Sequence, residues 1–298
     1  MKKILITTII TALTIGVISA QNVTFGARAG VNMSTMMPAG ETTPLNDGFG
    51  MRTASNFGLF TELHVNPTFS LRVGVEYSAL GGRRDGMQAM PTQRLVNDLV
   101  GGLGMVGMLL PPDIMAGVMG TLGAWSAQNP YYYVNVENTV KFDFVTIPVL
   151  AQFGTNLGDS PWRIHANVGP VLSFILSGSE VASGTSARFS DATGTTTLWD
   201  ALPQEIQDIA SLLPPAIAPD LEAMFGGEVT FGTTETTGEM RSVNLGVAAN
   251  LGLSFQHNRH RFFLEVGGSY GFFTVQNADN GNRLAGLTVS LGYAVSLW

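Results

Sequence analysis

Apolar and polar residues alternate along the last third of the chain. The alternation runs from Val243 to Phe255, restarts at Phe262 after a polar turn, and restarts at Leu287 after a second polar loop. A period of two places one set of side chains on each face of a β-strand. The sequence therefore predicts three consecutive strands that end close to Trp298.

The second face of these strands consists mostly of Gly, Ser, Ala and Asn. A sandwich in water carries many charged residues on its solvent face. Small polar residues instead fit the narrow interior of a closed barrel whose outer face contacts lipid. The pattern therefore indicates transmembrane β-strands.

The same alternation occurs in five segments upstream, which brings the predicted number of strands to eight. These segments cover approximately residues 23–34, 55–66, 69–78, 140–154 and 162–177. The connections alternate between short and long, and in outer-membrane barrels the short turns are periplasmic and the long loops are external. We therefore predict an all-β fold, an eight-stranded antiparallel transmembrane β-barrel.

Aromatic residues mark both ends of the predicted strands. The predicted periplasmic girdle contains Phe25, Phe69, Phe153, Trp162, Phe255, Phe262 and Trp298. The predicted outer girdle contains Phe57, Tyr77, Phe144, Phe174, Tyr270 and Phe272. The eight residue steps from Phe69 to Tyr77 span roughly 20 Å in a tilted strand, close to the height of a lipid-facing band.

The start of the chain has the pattern of a signal peptide. Lys2 and Lys3 precede an apolar run that ends in small residues at Ala20, so we predict a cleaved signal peptide over residues 1–20 and a barrel over residues 21–298. Its removal would change the formal charge from -7 to -9. Such an acidic chain argues against nucleic acid as a partner. The absence of cysteine excludes disulfides and thiolate metal sites.

Three segments resemble PorT-like outer-membrane β-barrel proteins. They are Phe142–Gln152, with its Ile-Pro-Val core, the Ala-Asn-Val-Gly-Pro segment at Ala166–Pro170, and the glycine-rich start at Gly26–Asn32. The resemblance covers about half of the chain, and it departs at Thr146 and at two long insertions. It implies the fold and an outer-membrane location, without a defined activity.

The end of the chain has the aromatic residues of a barrel-assembly signal. Tyr293 lies on the apolar face of the last strand, and we expect it to act with the terminal Trp298. Trp298 is out of step with that face, which departs from the usual geometry of the signal.

Charged residues share the inward face of the predicted barrel. An eight-stranded barrel is filled by its own side chains, and buried charges there must pair. We therefore predict a lumen ion-pair network, in which Arg72 and Arg163 pair with glutamates, and the alternative is a path for protons or ions. The candidate residues are Arg28, Glu62, Arg72, Glu76, Arg163, His165 and Glu265.

Histidines and carboxylates on this face raise the question of catalysis. His64 and His165 share it with glutamates and serines, but no nucleophile motif accompanies them. We expect the protein not to be an enzyme and to need neither a cofactor nor a metal.

Two insertions, residues 82–138 and 179–239, contain apolar residues at helical spacing around a shared Leu-Leu-Pro-Pro. Each predicts a helical hairpin in an extracellular loop, since proline is tolerated in a first helical turn but not in the interior. Either the hairpins bury each other as a cap over the barrel mouth, or they form a cleft for an apolar ligand. The residues of the predicted cleft are Met108, Leu109, Met115, Leu212, Leu213 and Met224.

These features predict an integral protein of the outer membrane of a Gram-negative bacterium. It would bind or pass a small apolar molecule, or anchor a surface protein. The alternatives are a PorT-like structural or assembly barrel in secretion and a secreted lipocalin-like binder. The expected partners also include outer-membrane lipid and the barrel-assembly machinery.

Overall fold

The structure is a computed structural model, and it describes residues 23–97, 112–212, 222–223, 225–235, 240–276 and 281–297. Within these ranges, helices are too short or too polar to cross a membrane. The predicted signal peptide lies outside the described residues.

The fold is a closed ring of eight antiparallel strands, as the alternation predicts. The order around the ring is β4-β3-β2-β1-β9-β8-β7-β5, and pairing of β5 with β4 closes it. A further strand, β6, pairs only with the far part of β5. The strands are β1 (Val23–Pro38), β2 (Arg52–His64), β3 (Phe69–Pro91), β4 (Tyr131–Asn156), β5 (Trp162–Ser186), β6 (Val229–Glu235), β7 (Val243–His257), β8 (His260–Gly271) and β9 (Asn282–Ser296).

Side chains of the ring alternate between the lumen and the outer surface. Large apolar residues such as Leu59, Leu251 and Leu291 are exposed on the outside, as a lipid-facing surface requires. Aromatic rings pair on neighbouring strands at both ends of this surface. Phe69 and Phe153 lie 5.0 Å apart at the short-turn end, and Phe57 and Tyr77 lie 5.0 Å apart at the long-loop end.

Glycines on the inward face make room for large side chains from other strands. A Cβ atom at Gly26 would overlap the ring of Phe60, and one at Gly292 would overlap the ring of Phe263. The two phenylalanines are buried together with Ala294 inside the barrel. The small residues of the inward face therefore surround a packed interior.

Much of both insertions continues the strands instead of forming helices. The last pairing of β3 with β2 is at Ser78, whereas its pairing with β4 continues to Pro91. These thirteen steps extend roughly 40 Å at the usual rise per residue. This part of β3 and the part of β4 that pairs with it continue into the far part of β5 and into β6. We call these four paired segments the extended sheet.

Helices follow the extended sheet. Residues 92–97 are helical, α1 spans Pro112–Gln128, and α2 spans Gln204–Leu212. Pro112 occupies the first position of α1, where its missing N–H costs no hydrogen bond. The second proline pair, at 214–215, lies outside the described residues.

The two insertions bury each other in one apolar cluster, which we call the cap. Tyr132, at the far end of β4, packs against this cluster. Mutual packing of the insertions is therefore confirmed. The buried members of the cap are Leu95, Val96, Val118, Leu122, Trp125, Leu198, Leu202, Ile206 and Phe225.

A different apolar cluster fills the barrel mouth, so the cap is not what covers it. Phe144 is buried in this mouth cluster, and its predicted position in the outer girdle is wrong because its parity on β4 turns it inward. Three loops contribute Phe49, Met240 and Val275. The buried members of the mouth cluster are Met36, Val140, Phe142, Phe144, Val275 and Leu284.

Candidate functional site

Arg72, at the centre of the lumen, is held by two carboxylates and two aromatic rings. It donates to Glu62 Oε1 from Nε at 2.8 Å and to Glu265 Oε1 from Nη1 at 2.6 Å. Its guanidinium carbon lies 4.5 Å from the ring centroid of Phe60 and 5.4 Å from that of Phe263. Its Nη2 lies 2.7 Å from Glu62 Oε1 without forming a hydrogen bond, so the buried charge is paired with both carboxylates, as a buried charge requires.

The network extends from Arg72 in both directions. Arg261 donates to Glu62 Oε2 at 2.6 Å. On the other side, Arg28 bridges Glu265 Oε2 at 3.3 Å and Glu76 Oε2 at 2.5 Å. Three guanidinium groups thus face three carboxylates, so their formal charges cancel inside the barrel.

Two polar side chains of β5 complete the environment of Glu265. His165 Nε2 lies 2.8 Å from Oε1, and Asn167 donates to the same oxygen at 2.9 Å. Gly252 lies beside them, and a Cβ there would overlap the imidazole ring of His165. The missing side chain at Gly252 of β7 therefore lets His165 of β5 contact Glu265 of β8, although β7 lies between these two strands.

Arg163 is the candidate that the structure places apart from the network. It donates to the carbonyl oxygen of Pro67, at 2.9 Å, in a turn at the short-turn end. Arg163 is the second residue of β5, close to the turns of the short-turn end, so it reaches Pro67 and not a glutamate deeper in the lumen.

Sequence reasoning missed Arg261, which takes the place expected for Arg163. The polar run 256–260 predicts a turn, and Arg261 directly follows this run, before the alternation restarts at Phe262. Arg261 nevertheless has the same parity on β8 as Phe263 and Glu265, so parity counted from β8 could have identified it.

The second histidine, His64, does not form a catalytic triad. Its Nε2 lies 2.9 Å from the hydroxyl of Thr24, and Glu62 Oε2 approaches the same nitrogen at 3.8 Å. In a triad the hydroxyl and the carboxylate bind different nitrogens of the ring. The hydroxyl of Ser296 adds only a further hydrogen bond to Thr24, at 2.9 Å.

A small cavity of about 80 Å³ lies between the ion-pair network and the mouth cluster. Arg28 and Glu76 lie on the network side of this cavity, and Phe144 and Leu284 lie on the mouth side. Asn32, Asn56 and Thr146 are among the polar side chains of its wall. A cavity of this size holds a few water molecules. Side chains therefore fill the lumen on both sides of this small chamber.

The arrangement of a closed strand ring, aromatic girdles and a paired polar lumen is that of an outer-membrane barrel. The sequence matches the family described as outer membrane protein beta-barrel domain over residues 19–277. The chain belongs to this family. Membership of this family means that the chain is an outer-membrane β-barrel.

Solved outer-membrane barrels resemble this barrel, at low sequence identity. Neisserial surface protein A shares 9% identity, with coverage of 91% of this chain and 96% of its own and a TM-score of 0.31. Ail of Yersinia pestis shares 11%, with coverage of 91% and 98% and a TM-score of 0.31. OprG of Pseudomonas aeruginosa shares 8%, with coverage of 92% and 95% and a TM-score of 0.33. A search of curated proteins found no match.

Most residues of the predicted apolar cleft of this outer-membrane barrel lie outside the described residues. This applies to Met108, Leu109, Leu213 and Met224, and for Leu212 only the backbone, at the end of α2, is described. Met115 is partly buried and packs against the cap. The cleft therefore stays a prediction.

The outer-membrane barrel places one of its two predicted assembly residues on the lipid-facing surface. Tyr293 stacks on His260 with ring centroids 5.9 Å apart, and its hydroxyl lies 2.6 Å from Nδ1 of that histidine. Trp298 lies outside the described residues. The pairing of Tyr293 with Ala27 of β1 puts it at the seam where the barrel closes.

A carboxylate organises the loop between β5 and the cap. The side chain of Asp191 accepts hydrogen bonds from the hydroxyl of Thr193 and from the backbone N–H groups of Thr193, Thr195 and Thr196. These bonds, first among them the Thr193 hydroxyl, hold the pKa of Asp191 well below its usual range. The loop thus enters the cap in a defined conformation.

Proposed function

We propose that this barrel anchors a surface partner, which it contacts through the cap. The observation that carries the proposal is the cap itself, because it has its own buried apolar core at the end of a sheet that extends beyond the ring. Ordering so many loop residues costs conformational entropy. A barrel that served only as a membrane plug would not need this structure.

The filled lumen supports anchoring over free passage. Arg72, Glu62 and Glu265 are each at most 1% exposed, and two phenylalanine rings flank the arginine. We propose that the ring is a non-enzymatic base that passes no ions.

The charge of the second insertion suggests the chemistry of the partner. Residues 179–239 contain one basic residue, Arg188, and ten acidic residues. Their formal net charge is therefore -9, which is more negative than the -7 of the whole chain. Such a surface attracts cationic groups over a distance comparable to the Debye length. The acidic residues are Glu180, Asp191, Asp200, Glu205, Asp208, Asp220, Glu222, Glu228, Glu235 and Glu239.

The proposed partner is therefore a protein with a basic surface segment. In this proposal the long-loop end faces outward from a Gram-negative cell, after the signal peptide is removed and the assembly machinery has inserted the barrel. An assembly role in secretion would use the same surface, since it also needs a closed barrel that carries a protein-binding region.

The test uses fluorescent decalysine and the full mature barrel in detergent. We expect binding that weakens steeply with salt, and at least a tenfold loss of affinity when Asp200, Glu205, Asp208 and Glu222 are all changed to their amides. The control changes four acidic residues away from the cap to their amides, so that the net charge is the same. These are Glu41, Asp47, Asp85 and Asp159.

The control variant should bind decalysine as the parent does. Equal losses in the two variants would show that only the net charge matters, and the proposal of a cap site would then be rejected. Absence of binding in the parent would reject the basic partner as well.

A further inference from the structure

The β4 wall of the barrel has gaps in its hydrogen-bond ladders. Pairing with β3 is continuous from Phe153 to Val149 and resumes only at Thr146, so that Ile147 and Pro148 are unpaired on that side. Proline has no N–H group to donate to a ladder. In a lipid environment each missing backbone bond is costly, because no water replaces it.

The other side of β4 has a second gap, opposite another proline. Pairing with β5 stops after Pro148↔Val171 and resumes at Ala151↔Val168, so that residues 149–150 face Gly169 and Pro170 without a bonded pair. Residues 147–150 therefore each lack a ladder partner on one side.

The β4–β5 seam above this gap is short. A β-bulge lies between Asp143 and Phe144, and bulges disrupt pairing locally. Five pairs, from Phe144↔Ile175 to Pro148↔Val171, remain between the bulge and the gap. This short run is the least continuously bonded part of the β4–β5 seam within the lipid-facing height.

The same run forms one wall of the cavity. Phe144, Thr146 and Pro148 from β4 line it together with Val171 and Ser173 from β5. The hydroxyl groups of Thr146 and Ser173 lie 3.1 Å apart across the seam. The wall between the chamber and the lipid is thus closed by five pairs and one side-chain hydrogen bond.

We propose that this seam is a lateral portal, through which a small uncharged apolar molecule passes between the bilayer and the cavity. The outer side of the seam carries Val145, Ile147 and Phe174, which are compatible with lipid. The ion-pair network blocks the route toward the short-turn end, and the mouth cluster covers the other end. The chamber is small, so in this proposal entry from the bilayer requires that β4 and β5 separate.

The chemical class of the molecule follows from the two environments that it must enter, the bilayer and the chamber. A charged molecule would leave water for hydrocarbon at a large cost, whereas an apolar one is already concentrated in the bilayer. Polar groups such as Asn56 and Asn250 in the chamber allow the molecule to carry one hydrogen-bonding group. The proposal is independent of the cap.

The test measures access to a cysteine in the chamber, since the chain has no native cysteine. Ala248 lines the cavity from β7, and Ala248→Cys is reconstituted in phospholipid vesicles. Labelling by membrane-dissolved N-phenylmaleimide is compared with labelling by a charged sulfonatoethyl methanethiosulfonate. We expect fast reaction with the apolar reagent and slow reaction with the charged one.

Two further variants change the seam in opposite directions. Pro170→Val restores a backbone donor to β5 opposite the gap at residues 149–150, and it should slow labelling by the apolar reagent at least tenfold. Thr146→Val removes the hydroxyl contact with Ser173, and it should accelerate that labelling. Pro161→Val makes the same exchange as Pro170→Val in an exposed turn, and it should leave the rate unchanged.

Unequal effects on the two reagents separate the portal from misfolding, because a misfolded barrel would react faster with both. Equal apolar labelling rates in the parent and Pro170→Val would overturn the proposal. So would labelling by the charged reagent as fast as by the apolar one, since this would show that access is through the mouth.

Discussion

At the scale of residues, the lumen shows what side-chain parity can and cannot predict. Parity places Arg28, Arg72 and Glu265 on one face, and the structure brings them into one network. It does not identify which inward residues meet, because contacts depend on strand stagger and on the space beside each side chain. The glycines at 26 and 292 were therefore interpreted as lining a narrow lumen, whereas they accommodate Phe60 and Phe263.

The close approach at Gly292 predicts a loss of stability on a small substitution. Gly292→Ala should lower the free energy of unfolding by about 1–3 kcal/mol, because overpacking displaces the Phe263 ring. Urea titration in detergent micelles, followed by the shift of the heat-modifiable gel band, measures the change. Gly117→Ala is the control, because a Cβ there meets nothing within 4 Å. An unchanged midpoint for Gly292→Ala would show that the ring has room to move.

The network predicts a larger effect at Arg72. Arg72→Met should cost about 3–5 kcal/mol, because it leaves buried carboxylates without their main partner. Adding Glu265→Gln to Arg72→Met should restore part of the lost free energy of unfolding, because it removes one of the unpaired charges. Arg83→Met is the control, since its ion pair with Glu137 is exposed and such pairs contribute about 0–1 kcal/mol. The same titration measures all three variants, and similar losses at Arg72 and Arg83 would contradict this account.

At the scale of elements, the strands of the ring were predictable but the extended sheet was not. Residues 131–138 alternate as a strand does, yet they lie within the insertion for which a helical hairpin is predicted. Alternation has the same period whether the outer face meets lipid or water, so it cannot show where a strand leaves the membrane. The short strand β6 has no such pattern and depends on pairing with β5.

The cap should unfold separately from the ring. Leu122 is fully buried there, and Leu122→Ala should destabilise the cap by about 2–5 kcal/mol through the cavity that it leaves. Hydrogen exchange should rise in α1 and α2 without a change in the ring strands. Leu157→Ala, in an exposed turn, serves as control. Faster exchange throughout the ring would show that the two parts are one cooperative unit.

The loop at Asp191 should resist acid further than an ordinary aspartate would allow. Because the folded-state pKa lies below the usual 3.8, its stabilising effect is complete above that value. The effect is lost as the pH falls from there through the folded-state pKa. A carboxyl NMR titration should therefore show no change at Asp191 between pH 7 and pH 4. A midpoint for Asp191 at or above its usual 3.8 would contradict the bonding described for this residue.

At the scale of the whole molecule, the long-loop end of the closed barrel carries the extended sheet and the cap. The predicted cap over the mouth is instead at the end of the extended sheet, and a separate cluster fills the mouth. The sequence could predict that both insertions are apolar. Their distance from the mouth depends on how far β3 and β4 continue to pair, which local patterns do not determine.

A closed lumen predicts little steady conductance. Planar-bilayer recordings of the mature protein should show no large stable channel, because paired charges and aromatic rings fill the cross-section. Unheated and boiled samples should also migrate differently on a denaturing gel, which serves as the control for folding. Large stable channels from heat-modifiable protein would contradict the filled lumen.

The composition of the network has a consequence for the order of folding. Arg28 and Glu265 are separated by 237 residues, and Glu62 and Arg261 by 199. The network charges of the first three strands already balance, but until the final hairpin arrives Arg28 and Arg72 lack their hydrogen bonds to Glu265, and Glu62 lacks its bond to Arg261. The network is therefore complete only when the last hairpin has closed against β1, and a barrel that lacks its last strands loses these three hydrogen bonds.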